Sequence, residues 1–105
     1  MLIVMTTIDS EEKAEELAKG IVEQRLAACV QVLPRMTSFF FWEAAVQREG
    51  EHLLLIKTAE EKFAEVEAYI REHHSYDVPE VVAIRAEQVS EPYAKWLANY
   101  LICRD

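Results

Sequence analysis

The sequence predicts one α+β domain built in the order strand, helix, strand, strand, helix, strand, helix. Three observations predict it. Apolar residues recur at helical spacing in three stretches, each opened by a capping residue. Between them lie short runs rich in β-branched and aromatic residues, bounded by polar or proline-containing turns. The chain has 105 residues, 51% of them hydrophobic, with no internal repeat, low-complexity tract or linker, so residues 1–105 are expected to share one core without metal or disulfide staples.

The first strand is expected from about Leu2 to Ile8. Asp9, with Glu12 three residues on, is the expected capping box of a helix whose buried stripe is Ala14, Leu17, Ala18, Ile21 and Val22. Gly20 weakens that helix by about 1 kcal/mol relative to Ala without changing the pattern. Ala28 to Leu33 reads as extended chain, Pro34 interrupts it, and strand resumes at Thr37 through Phe39, Phe40, Phe41 and Trp42. The polar run Gln47 to Glu51 is the expected hairpin turn, with Leu53 to Ile56 as the returning strand. Thr58 is the expected cap of a second helix, with Glu61 at the capping-box position and Phe63, Val66 and Ile70 buried. His73 to Asp77 leads out, and Pro79 opens a last strand through Val81, Val82 and Ile84. Ser90 caps a closing helix that carries Tyr93, Trp96, Leu97 and Tyr100. Two split β-α-β units with right-handed crossovers place both long helices on one face of an antiparallel sheet, the ferredoxin-like arrangement.

Three of the strands are apolar on both sides: Leu2 to Met5, Leu53 to Ile56, and Val81 to Ile84. A sheet with one wet face alternates apolar and polar residues instead. The two long helices cover one face and the closing helix covers part of the remainder. Another copy of the same chain is the expected cover for the rest, the closing helix and loops being the alternative. The four consecutive aromatics ending at Trp42 point the same way, since such a run on a bare edge invites uncontrolled pairing.

Charge excludes some functions. Lys and Arg number 11 and Asp and Glu 19, a net charge of −8 that repels phosphate backbones, so nucleic acid is not an expected partner. An acidic surface gathers cations by its field without forming a site. No apolar run approaches the roughly 18 residues of a membrane span, so no membrane partner is expected. Met1 to Met5 reads as a strand rather than a signal peptide. Cys29 and Cys103 belong to no CxxC pair and read as reduced thiols of a cytoplasmic protein, with a disulfide as the other reading.

Several segments together resemble a known family. Leu26-Ala27-Ala28-Cys29-Val30, then Pro34 and Ser38 before Phe40-Phe41-Trp42, then Leu54 to Thr58, then His74 to Glu80, and finally Tyr93 and Trp96 are similar, in order and spacing, to the CutA divalent-cation tolerance family. The resemblance implies a homotrimer of the PII-like plan, with sheets meeting around a threefold axis and helices outside. It implies a non-enzymatic role in tolerance to divalent cations, copper above all, with no tightly bound cofactor. Four positions depart from the family pattern: Ala44 where glycine is usual, Ala45 where lysine is common, Ser75 in place of proline, and Phe40 where tyrosine is frequent.

Cys29 and Gln31 share one strand face and Val30 and Val32 the other. The helix-covered face takes the valines, which turns Cys29 toward the assembly side. A thiolate there suits copper or zinc; a small packed hydrophobe is the alternative. The resemblance implies that His74 joins Cys29 in binding copper, while a subunit-contact hydrogen bond is its other reading. His73 reads as a solvated histidine at a helix C-terminus, and His52 as a surface residue. Lys57, Tyr76 and Glu80 match the family's other recognisable set and are expected either around a pocket between subunits or in a structural ion pair. Asp77 and Glu80, three apart, are a possible hard-oxygen pair of a kind common by chance in so acidic a chain. Three competing functions stay open: a PII-like small-molecule signalling module, a trimeric scaffold for protein partners, and an acylphosphatase-like enzyme using Arg25 or Arg35. The signalling and enzyme readings lack a Gly-rich anion loop, because the chain has only two glycines.

Overall fold

Strand β1 (Leu2–Ile8) lies in the interior of the sheet in the computed structural model, which describes residues 1–102. Cys103 lies outside the described residues. Helix α1 (Glu11–Glu23) follows, then the short strand β2 (Cys29–Val32), strand β3 (Met36–Trp42) and the long strand β4 (Ala45–Thr58). A 3₁₀ turn (Glu60–Lys62) leads into helix α2 (Phe63–His73); strand β5 (Val82–Arg85) and helix α3 (Glu91–Ile102) close the fold. The main sheet runs β2-β4-β1-β5, every pair antiparallel, and β3 pairs with the part of β4 that projects beyond β2. This is the predicted ferredoxin-like order.

The core forms because α1 and α2 each bury one stripe against one sheet face. Ala14, Leu17, Ala18 and Ile21 of α1, with Val66 and Ile70 of α2, pack on Leu2, Val4, Leu54 and Ile56. Val30 and Val32 join that cluster, so the valines take the covered face as expected. Gly20 has a packing reason: a Cβ there would lie 1.9 Å from the Tyr69 hydroxyl of α2. Helix α3 packs elsewhere, burying Leu97 and Leu101 against Ala28, with Met1, Ala59 and Tyr93 beside them. Arg25 ties α3 down: its guanidinium donates to the Tyr100 carbonyl at 2.9 Å and lies 4.2 Å above that ring.

Residues opposite one another in the ladders share a face. Ile3, Met5, Leu53, Leu55, Val82 and Ile84 therefore share the face turned away from α1 and α2. Val82 and Ile84 are exposed there, so the described residues leave this apolar face uncovered.

Several local expectations are corrected. Ser10, not Asp9, caps α1, its hydroxyl accepting from the Lys13 amide at 3.3 Å. Thr58 does not cap α2; it is the buried last residue of β4, donating to the Leu26 carbonyl at 2.7 Å, and the 3₁₀ turn starts the helical segment instead. The last strand begins at Val82 rather than Pro79. The largest correction is the hairpin. Its turn is Glu43-Ala44, with φ of 51° and 64°, and Gln47 to Glu51 are strand. Two consecutive positive φ values are those of a type I′ turn, whose twist matches that of the flanking strands. Gly50, expected in the turn, sits in β4 under the Arg35 guanidinium, which would have to swing aside for a Cβ.

Candidate functional site

The β3-β4 hairpin projects beyond the core and gives the molecule its 45 Å length against 28 and 23 Å. One of its faces carries Phe39, Phe41 and Val46, all broadly exposed. Its other face carries Ser38, Phe40 and Trp42 opposite Glu49, Gln47 and Ala45. That second face and the loop leading out of α2 form the walls of a cleft of about 710 Å³.

Six carboxylates line the cleft: Asp9, Glu43, Glu49, Glu51, Asp77 and Glu80. Phe40, Trp42 and Tyr76 supply the aromatic surface, and neither lysine nor arginine is among the lining residues. Glu51 is the deepest of the acids, 5% exposed, and its Oε2 accepts the Tyr76 hydroxyl at 2.7 Å. Burial, with the Glu51 carboxylate beside it, pushes the Tyr76 phenol above its ordinary range. Burial first, and the charge of Glu51 second, hold the Glu80 carboxyl above the usual carboxylate range.

His74 anchors the loop. Its Nε2–H donates to the Thr7 carbonyl at 2.7 Å, and its Nδ1 accepts the Tyr76 amide at 3.1 Å. A neutral imidazole has one donor and one acceptor, so these two bonds use both nitrogens. Its ring also packs 4.6 Å from that of Tyr76. His73 stacks on Tyr69 at 3.9 Å and bonds the Tyr69 carbonyl through Nδ1. His52 is not a surface residue: it is buried in β4, with Nδ1 at 2.9 Å from the Leu33 carbonyl.

Cys29 lies on the uncovered face as expected, a free, half-buried thiol opposite Lys57. Lys57 is in turn opposite Ile3, while His74 is bonded at Thr7, four residues farther along β1. At roughly 3.3 Å per residue that separation is about 13 Å of strand, so one chain does not bring Cys29 and His74 together. Lys57 likewise stands six residues from Glu51 on β4, with its ammonium 5.8 Å from the Tyr93 ring centroid. Tyr76 and Glu80 meet at the cleft; Lys57 is at the other end of the sheet. Among the described residues, no three His, Cys, Asp or Glu side chains converge closely enough to hold a metal ion.

Sequence reasoning missed Glu51, Glu49 and Asp9 as members of one cleft. The signal was present in the alternation Gln47-Glu49-Glu51, a period of two that puts all three on one strand face. Reading the segment as a turn concealed it.

An antiparallel ferredoxin-like sheet with one bare apolar face, a projecting hairpin and a lateral acidic cleft defines the class of small α+β protein to which the chain belongs. The family model described as CutA1 divalent ion tolerance protein matches residues 2–100, and the chain belongs to that family. It is 40% identical over 95 residues to the divalent-cation tolerance protein CutA of Thermus thermophilus, covering 90% of this chain and 92% of that one. The solved structure from that organism superposes with a TM-score of 0.89, covering 92% of this chain and 95% of the other at 40% identity. CutA1 from Pyrococcus horikoshii superposes with a TM-score of 0.91 at 34% identity, covering 95% and 97%. The chloroplastic CutA of Arabidopsis thaliana is 38% identical over 98 residues, 93% of this chain but 54% of the plant protein. The chain thus spans about half the length of its matched plant relatives. Among the described residues, no helix is long and apolar enough to cross a membrane.

Proposed function

We propose that the chain is a non-enzymatic homotrimer serving tolerance to divalent cations, with copper bound weakly and transiently at Cys29 rather than held in a closed cage. The observation that carries the reading is the bare apolar face: Ile3, Met5, Leu53, Leu55, Val82 and Ile84 need a cover that the described residues do not supply. Cys29 is on that same face, and its soft sulfur suits copper. With both nitrogens of His74 engaged within the chain, the thiolate is the principal donor and affinity stays low. Sparing cysteine use fits a reducing compartment, and the cytoplasm is the proposed location. The cleft argues against a nucleotide-responsive module, because six carboxylates with neither lysine nor arginine among the lining residues repel a polyphosphate.

The test is calorimetric titration of Cu(II) and Zn(II) into wild type, Cys29→Ala and His74→Ala, with mass from light scattering. The expected mass is about three times the 12.1 kDa chain. Copper binding is expected to weaken about tenfold in Cys29→Ala, and His74→Ala to lose thermal stability through the freed loop. A monomer at micromolar concentration sinks the assembly; copper affinity unchanged in Cys29→Ala sinks the thiolate.

A further inference from the structure

The two faces of the β3-β4 hairpin carry opposite charge. Residues opposite one another in the ladder share a face, so Phe39, Phe41, Val46 and Arg48 stand together on the outer one, with Thr37 and Gly50 behind them. The Arg35 guanidinium lies over Gly50 and joins the same face. Two guanidinium groups thus stand beside broadly exposed aromatic surface, and the paired positions of that face hold no acid. Neither arginine has a carboxylate partner among the described residues. The inner face, with the loop out of α2, carries the acids of the cleft.

These two patches lie on opposite sides of one two-stranded ribbon, so a contact between them joins two molecules. They match in kind as well as in charge. Phe39 and Phe41 accompany the arginines, while Phe40, Trp42 and the exposed Val78 accompany Asp77 and Glu80. The outer side of α1 is acidic too, but every exposed residue there is Glu or Lys, so it lacks the apolar half of the match. We propose that the outer face of the hairpin docks against the cleft of a second copy of this chain, with Arg35 and Arg48 meeting its Asp77 and Glu80 and Phe39 and Phe41 meeting its apolar wall. Apolar contact supplies affinity, and the charges set register and exclude the wrong face. The contact joins two different patches, so it is head-to-tail, and a head-to-tail contact that closes after three copies makes a threefold ring. It rests on the homotrimer reading above and adds to the sheet face a second, charged contact in which each copy completes the cleft of the next.

The test is charge reversal on the full chain, with mass followed by light scattering on dilution. Arg48→Glu and Glu80→Lys, both at exposed positions, are each expected to raise the concentration at which the oligomer dissociates about tenfold. The double variant Arg48→Glu with Glu80→Lys is expected to recover most of that loss, as a direct pair requires. Lys19→Glu, an exposed charge reversal on α1, is expected to change nothing. A second measurement locates the contact: in Arg48→Lys, a carbodiimide is expected to join the introduced amine to Asp77 or Glu80 of a different chain, recognised in mixtures of isotopically heavy and light protein. A monomeric wild type overturns the homotrimer reading and this contact with it. An oligomer that shows no rescue in the double variant and no cross-link between chains at the cleft overturns this contact alone. Cross-links to the acids of α1 instead overturn the cleft as the docking face.

Discussion

The two halves of β4 form one continuous strand in two different worlds. From His52 to Thr58 it runs between β1 and β2 beneath α1 and α2, and Leu54, Ile56 and Thr58 are fully buried. From Ala45 to Glu51 it has β3 as its sole ladder partner, and Val46 is 73% exposed. Both halves carry residues that favour strands, so propensity does not separate them. What separates them is cover. The inner half is stabilised by burial within the chain. The outer half holds its shape through one ladder and a two-residue turn, and a two-stranded ribbon alone is marginal in water. Stability and interaction surface are thus placed on opposite ends of one strand.

The largest expected effect lies in the inner half. Ile56→Ala should cost roughly 2–5 kcal/mol in denaturant unfolding, because Ile56 is fully buried among core side chains. Val46→Ala in the outer half should change chain stability by less than about 0.5 kcal/mol. Equal losses at the two sites would erase the contrast. Replacing both Phe39 and Phe41 by Ser should lower the mass seen by light scattering while leaving the circular dichroism of the chain intact, since both side chains are broadly exposed. An unchanged mass would remove the hairpin from the assembly surface.

Smaller effects sharpen the same comparison. Thr6 in β1 is fully buried, and its hydroxyl has no hydrogen-bond partner among the described residues. Thr6→Val should therefore stabilise the inner sheet by about 1–2 kcal/mol, read as a higher denaturant midpoint with unchanged slope. At the hairpin tip, Ala44 holds a φ of 64° that glycine adopts without strain. Ala44→Gly should gain roughly 1 kcal/mol, visible as slower amide exchange in the outer half alone.

The smallest effect is the pH dependence at Glu80. Its folded carboxyl is held above the usual range, so the folded state binds that proton more tightly than the unfolded chain. The stability it contributes is present below the unfolded value and lost as pH rises through the raised folded one. Glu80→Gln should thus be slightly more stable than wild type near pH 7 and indistinguishable from it near pH 4. Glu60 works in the opposite sense: its bidentate bonds to Arg85, at 2.9 and 2.8 Å, lower its folded value, and that contribution fades on acidification. Mapping unfolding against pH in both single variants separates the two signs.

Much of the fold was legible in sequence. The buried stripes of α1 and α2, the order of elements and the two-sided strands follow from periodicity, and the family from the resemblance of several segments in order and spacing. The turn was misplaced because Gln47 to Glu51 has turn-like composition, whereas Glu43-Ala44 lacks the Asn-Gly signature of a type I′ hairpin. His52 was misjudged for a related reason: with the turn wrongly placed beside it, its burial in mid-strand was invisible. The candidate site was half legible. Tyr76, Asp77 and Glu80 were singled out, but their neighbours across the cleft were not.

By itself the sequence determined which side of each element is apolar, because a side chain's direction follows from helical or strand period, a local property. It therefore determined that Val30 and Val32 face the helices, that Cys29 faces away, and that one sheet face lacks a cover. Only the tertiary structure decided which distant residues meet. Register along β1 and β4 keeps Cys29 and Lys57 at one end of the sheet and brings His74, Tyr76 and Glu51 together at the other. The physical reason is that pairing between strands is set by non-local contacts summed over the whole sheet, and a site assembled from a hairpin and a loop exists only once that register is chosen.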